Sequence, residues 1–471
     1  MRYSGKAKRR ILSGSSISSR AVDNQRGSVL LSVLAVLLVL MIVFLSVLTY
    51  ALARYSAHVR RANRIVAAGL AEAGVNHRIA DMNREGIGES VQTERTPNGG
   101  RFQSAVIAWG PCPLVLSDGF YANQKVRCTA LLGSRSPQLF LAAISVYRLD
   151  LPFVVSGNTR IVGSVLTGPE GMTEGQIEGR TVTSEDYHQG AVQKVNNLVA
   201  PSIDTTILRL YLSQADQRRS KPDQIFAGSH LLGPGNLNSV VRGHSVLIED
   251  DLELRDATIS ADQSISSLFV GGRLTIAGGS RLTGLLEIVA DGTITVSDSA
   301  ALDEVILYSN DSIVFQGDCV FSGTAVSRAH ILMADRSRLL YPSMLYLDAE
   351  HEAVDSSTGI RLVSAGLLEG TVVTYCDKRT TDTELPLLRA APCTTLRGYI
   401  LSQGELDAQG KIFGSIVTRQ FGFRVSPTTY VNWVRDIHVN RTMLDFEPAL
   451  PVLDNSGQPP NLRILRMDSD L

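Results

Sequence analysis

The chain lacks the short signatures of phosphate, acyl-transfer and metal chemistry. No GxxxxGK[ST] loop is available to cradle a phosphate, and no G-x-S-x-G turn presents a nucleophilic serine. The eight histidines, at positions 58, 77, 188, 230, 244, 330, 351 and 438, form no HxH or HxxxH pair, so a zinc or iron site has no local support. His351 stands between Glu350 and Glu352 and reads as charged loop; His330 reads as a residue on the surface of a repeat. No CxxC pair occurs, which excludes a zinc ribbon or a thioredoxin-like site. No metal and no cofactor are expected. Charge of one sign is also missing: the formal net charge is −1, which excludes a general electrostatic attraction to nucleic acid. Aromatics are sparse at 6% while Gly is plentiful at 40, and after about residue 150 short Val/Ile/Leu pairs punctuated by Gly, Asp and Ser give the texture of many short strands joined by tight turns.

One long apolar run is present. Val29 to Ala53 reads VLLSVLAVLLVLMIVFLSVLTYALA, with no charge between Arg26 and Arg54. At about 1.5 Å per residue a helix of this length crosses a hydrocarbon core of roughly 30 Å. Its few polar members, Ser32, Ser46, Thr49 and Tyr50, are compatible with a helix that satisfies their hydroxyls. A core helix of this length without a polar face would be unusual. Arg2, Lys6, Lys8, Arg9, Arg10, Arg20 and Arg26 precede the run against the single acid Asp23, whereas Arg54, Arg60, Arg61 and Arg64 follow it. This bias predicts a cytoplasmic N-terminus and an exported C-terminal bulk. The run far exceeds the 7–15 residues of a cleaved secretory signal.

Beyond the run the helix is expected to continue, with Val59, Ala62, Val66, Leu70 and Ala73 on one face. Gly69 and Gly74, beside small alanines, fit either close packing on another surface or fraying of the helix. QRGSVLLSVLAVLLVLMIVFLSVL followed by AGLAEAGVNHRI resembles the N-terminus of type IV pilin-like proteins, above all PilX-type minor pilins. The resemblance covers roughly residues 25–85. It implies a leader-peptidase junction at Arg26–Gly27–Ser28, with Gly27 and Ser28 flanking the cleaved bond and Ser28 as the mature N-terminal residue. It also implies a bacterial inner-membrane location, a prepilin peptidase, and pilus or secretion machinery subunits as partners beside membrane lipid. One departure is Ser32, which stands at the fifth mature position where major pilins carry Glu. A plain single-span anchor would share the same composition.

Five cysteines all lie after the run. In an exported chain Cys112 with Cys128, and Cys376 with Cys393, are the local pairs for two disulfides, leaving Cys319 as a buried thiol. The alternative is five unpaired small apolar residues.

The remainder reads as mainly β. Arg101–Trp109, Leu114–Leu116, Lys125–Leu132 and Leu139–Leu149, separated by GPCP, SDG and GSRSP, predict a small antiparallel sheet. After residue 240 a repeat of about 18 to 22 residues appears, in DLELRDATI, RLTIAGGSRL, TITVSDSAAL, SIVFQGDCV and HILMADRSRL. Its apolar positions are Leu252/Leu254/Ile259, Leu274/Ile276/Leu282, Ile294/Val296/Leu302, Ile313/Phe315/Val320 and Ile331/Met333/Leu339. A second short strand falls inside each unit, which predicts a parallel β-helix, or solenoid. Fainter copies at 158–179 and 396–418, with Gly398 and Gly414, resemble the texture of bactofilin-like, polymer-forming β-helices. Ser202–Gln217 predicts an amphipathic helix that would cover an open end of the solenoid.

The expected organisation is therefore a basic cytoplasmic leader (1–27), a transmembrane and pilin-like helix (28–85), a small β-sheet region (86–150), a β-helix with a helical insertion near 200–220 (151–445) and a C-terminal tail (446–471). The composition favours a structural or adhesive envelope protein, with surface polysaccharide a candidate ligand. The enzymatic alternative is a polysaccharide lyase or hydrolase, since β-helices host such sites and paired carboxylates perform that chemistry. Glu249, Asp250, Asp251, Asp291 and Asp311 are the acids available, with Asp291 and Asp311 expected to stack in successive repeats. Turn-forming Asp is common for structural reasons alone, so no catalytic residue is expected.

Overall fold

A computed structural model describes residues 24–88, 90–97, 99–199, 201–233, 241–349, 357–376, 386–454 and 459–469. Most of the basic leader, and His351 with its flanking glutamates, lie outside them. The fold is mainly β: one long N-terminal helix, a small antiparallel sheet and a large parallel sheet wound as a solenoid.

Helix α1 (Asn24–Glu85) runs for 62 residues, about 90 Å. Val29 to Ala53 is exposed apolar surface, long and apolar enough to cross a membrane, and the exposed turns after it carry Arg54, Arg60, Arg61 and Arg64. The hydroxyls of Ser32, Ser46 and Thr49 donate to the carbonyls of Val29, Val43 and Leu45, so the helix absorbs its own polar atoms. Its C-terminal part packs on the small sheet through Ala67, Ala71, Val75, Arg78 and Met82. This face is displaced from the stripe expected at Val59, Ala62, Val66, Leu70 and Ala73, and the cause is closeness. A Cβ on Gly119 of the sheet would collide with the backbone of Ala67 and Ala71, and a Cβ on Gly74 with Ser117 and Phe102. Small residues stand where the surfaces touch most closely. Gly69 faces open space.

The sheet holds β1 (Gln92–Arg95), β2 (Arg101–Trp109), β3 (Cys112–Tyr121), β4 (Gln124–Ser134) and β5 (Leu462–Ser469), in that order and all antiparallel. Residues 446–471 are thus not a plain tail, because they supply the fifth strand. Ile144–Val146, placed by sequence in the sheet, belongs to the solenoid instead.

The solenoid winds by parallel pairing of each strand with its counterpart one coil away. One inward ladder runs Val246, Leu268, Ile288, Leu307, Ala325, Leu345, Val372, Ile400 and Ile416. It then continues to the buried Ile144 and Val165 and ends on the exposed Val192, so the first solenoid segment of the chain stacks on the last. The repeat frame holds with one correction: the fourth unit puts Phe321 inward, in register with Leu302, while Val320 sits opposite Ala301 and is half-buried. After Ile331 the coils lengthen, and Ile331, Ile360 and Leu388 stand 29 and 28 residues apart.

Helix α2 (Thr206–Ser220) does not cover an end of the solenoid. Ile207, Leu208, Tyr211 and Ala215 pack on its flank, in the same core as Phe269, Val289 and Tyr308. That flank also receives the small sheet, which is why runs such as LEIVA (286–290) are buried on both faces.

Candidate functional site

The sequence-nominated residues are dispersed rather than gathered. The Gly27–Ser28 junction lies in the first turns of α1. The five cysteines are thiols, so the two expected disulfides are corrected. Cys128 is in register with Ser117, five positions along β3 from Cys112, roughly 17 Å and far beyond disulfide reach. The Cys376 thiol donates to the Ala349 carbonyl at 3.7 Å, and that of Cys393 to the Val363 carbonyl at 3.4 Å, carbonyls that follow the ends of two different strands. Cys319 is buried, and burial pushes its thiol up to about 12.

Three of the acids nominated for glycan chemistry, Asp291, Asp311 and Asp251, have structural partners. Asp291 takes a two-pronged ion pair from Arg219 of α2 and a hydrogen bond from Asn310 Nδ2 at 3.0 Å. The Arg219 guanidinium holds its carboxyl below the usual range, with burial opposing. The expected stack with Asp311 is absent: Asn310 follows Ser309, which is in register with Ala290, so Asp291 is level with Asn310. Asp311 instead accepts from Thr293 Oγ1 at 2.6 Å. Asp251 accepts the Arg273 backbone N–H at 2.7 Å and its guanidinium at 3.0 Å, and these lower its pKa. No metal-holding group of three His, Cys, Asp or Glu residues exists among the described residues.

Charges that sequence reasoning missed converge where the solenoid meets the small sheet. The fully buried Glu287 accepts from Arg218 at 2.8 Å and from Ser267 Oγ at 2.8 Å, clamping α2 to the flank. Further along, Glu304 meets Arg466 of β5 at 2.8 Å, and Arg466 also reaches Asp468 at 2.9 Å and Asp303 at 3.4 Å. A cavity of about 250 Å³ adjoins this group, lined also by Arg127, Thr129 and Thr283. Glu304 is the extra residue of a β-bulge, between Asp303 and Val305, and its φ is +65°. Burial pushes its carboxyl up to about 7; Asp468 and Asp303 add repulsion and Arg466 opposes both. The only sequence signal was the shortening of successive repeats around residue 304. Arg466 lies 162 residues away and had none.

No protein-family model matches the chain, and no curated protein matches it. Among solved structures, the crystal structure of the competence-associated pilin ComZ from Thermus thermophilus aligns over 87% of this chain and 98% of that chain, with 11% identity and a TM-score of 0.19. That score does not establish a shared fold.

Proposed function

We propose that this chain is a membrane-anchored structural protein of the bacterial cell envelope, pilin-like in its first part, that displays a β-solenoid outside the cytoplasm. Its N-terminus is cytoplasmic, α1 crosses the inner membrane once, and the solenoid is periplasmic or extracellular. The observation that carries this reading is the path of the chain. It leaves the small sheet after β4, winds the solenoid and returns as β5 beside β4, on a helix whose exposed stretch from Val29 to Ala53 is apolar. The solenoid is thereby an insertion in a helix-and-sheet anchor rather than a domain on a tether. Its role is that of a minor pilin-like component or adhesive scaffold. Its partners are membrane lipid, a prepilin peptidase acting at Gly27–Ser28, and pilus or secretion machinery subunits, with surface polysaccharide as a candidate ligand. It is not an enzyme in this reading, which is supported by the structural partners of Asp251, Asp291 and Asp311.

Two measurements test the anchor. A reporter active only outside the cytoplasm, fused after Asn83, gives signal; a purely cytoplasmic result rejects the topology. Mass spectrometry of the protein from native membranes finds Ser28 as first residue, and Gly27→Leu retains the leader. An intact Met1 in the wild type removes the pilin-like processing and leaves a simple anchor. For the absence of catalysis, the purified chain releases no reducing or unsaturated ends from acidic glycans. Turnover that disappears in Asp291→Asn with Asp311→Asn would reject the structural role.

A further inference from the structure

We propose that the contact between the Glu304 bulge and strand β5 is a proton-operated latch, which holds the sheet against the solenoid when Glu304 is protonated and loosens β5 when Glu304 is ionised.

The geometry supplies the parts. Among the described residues β5 is an edge strand that pairs with β4 alone, so it can leave without breaking another ladder. Its own bulge, between Ile464 and Arg466, faces the solenoid's bulge at Glu304. Arg466 is shared by three carboxylates: Asp303 and Glu304 on the solenoid and Asp468 on β5 itself. Across the cavity, Arg127 of β4 faces the same group but binds Asp118 at 2.8 Å, which Lys125 also pairs. With Glu304 ionised, Arg466 therefore meets more negative charge than it neutralises; with Glu304 protonated, one of the competing charges is gone.

The bulge aims Glu304 at this point at a cost in backbone strain. A non-glycine residue in the left-handed region costs of order 1 kcal/mol. The preceding coil carries Gly284 at its bulge, with φ +85°, and the following coil passes from Ser322 to Gly323 with no extra residue. The sign of the linkage follows from the upward shift to about 7. The folded state holds the proton where the opened state has released it. Closure is thus strongest below the ordinary glutamate value near 4.5 and is lost as pH rises through about 7.

The test is hydrogen exchange on the full-length protein in detergent micelles from pH 5 to pH 8, with rates corrected for intrinsic exchange. In the wild type, the opening constant of Leu462–Ser469 rises about tenfold or more over that range. Leu286–Ala290, in the solenoid core, stays unchanged. Glu304→Gln holds β5 closed at both ends of the range. A flat wild-type profile overturns the latch, as does an unaltered rise in Glu304→Gln. If that variant does not fold, Asp468→Asn replaces it. Removing one repelling carboxylate moves the midpoint to lower pH, and an unmoved midpoint overturns the latch equally.

Discussion

Ile294 and Asp298 lie four residues apart and tolerate opposite things. Ile294 is fully buried and stacks between Leu274 and Ile313, so Ile294→Asp places a carboxylate in an apolar ladder. The change costs several kcal/mol or forces a large upward pKa shift, and thermal unfolding reads the loss. Asp298 occupies a turn at φ +59°, and its carboxylate accepts the Gly278 N–H at 3.0 Å. Asp335 serves Gly317 in the same way, at 2.9 Å. Asn adopts the left-handed region and keeps an acceptor, so Asp298→Asn stays within about 0.5 kcal/mol of wild type. Asp298→Val loses both properties and costs about 1–2 kcal/mol. Equal melting temperatures for Ile294→Asp and Asp298→Asn would refute the ladder. The inward positions were legible because a strand alternates and the turns carry Asp and Gly. Val320 and Phe321 were not separable in the same way, since both are apolar and only the register with Leu302 chooses between them.

At the scale of elements, α2 shows how amphipathicity tells that a face is buried but not where. Ile207, Leu210 and Tyr211 mark an apolar stripe, which an open solenoid end or its flank could equally receive. The flank won because its outward residues, among them Phe269 and Tyr308, are themselves apolar and two arginines find acids there. The two ion pairs differ in depth and hence in weight. Glu287 is fully buried, so Glu287→Ala strands Arg218 and Ser267 and costs about 3 kcal/mol. Asp291 is about one-third exposed, so Asp291→Asn costs under about 1 kcal/mol. Limited proteolysis within Thr206–Ser220 separates them: Glu287→Ala is cut rapidly and Asp291→Asn nearly as slowly as wild type. Because Arg219 holds the Asp291 carboxyl low, that pair's contribution is present above the ordinary aspartate range and fades as pH falls through the depressed value.

For the whole molecule, the order of coils in space is not their order in the chain. The segment at 144–194 could pair with either end of the later stack by texture alone, since its Val and Ile spacing matches every coil. Only register settles it, and Ile416 pairs with Ile144 while Val439 pairs with Ile161. The same non-local closure hid β5, whose partner β4 ends 328 residues earlier. Local pattern therefore revealed the long apolar helix, the sheet and the coils, and left their wiring open. This wiring makes a specific demand on stability. In a solenoid each coil leans on its neighbours, so damage spreads first to the coils that stack on it. Ile416 lies at the splice between the two ends of the chain, fully buried between Ile400 and Ile144. Ile416→Asp is expected to lower amide protection of Ile144–Val146 and Val165–Thr167 by about tenfold or more, although they stand some 250 residues away in sequence. Leu252–Arg255 and Leu274–Ala277, at the far end of the stack, keep theirs. Loss of protection in those distant strands first, with 144–167 unaffected, would mean that the solenoid does not close on its own beginning.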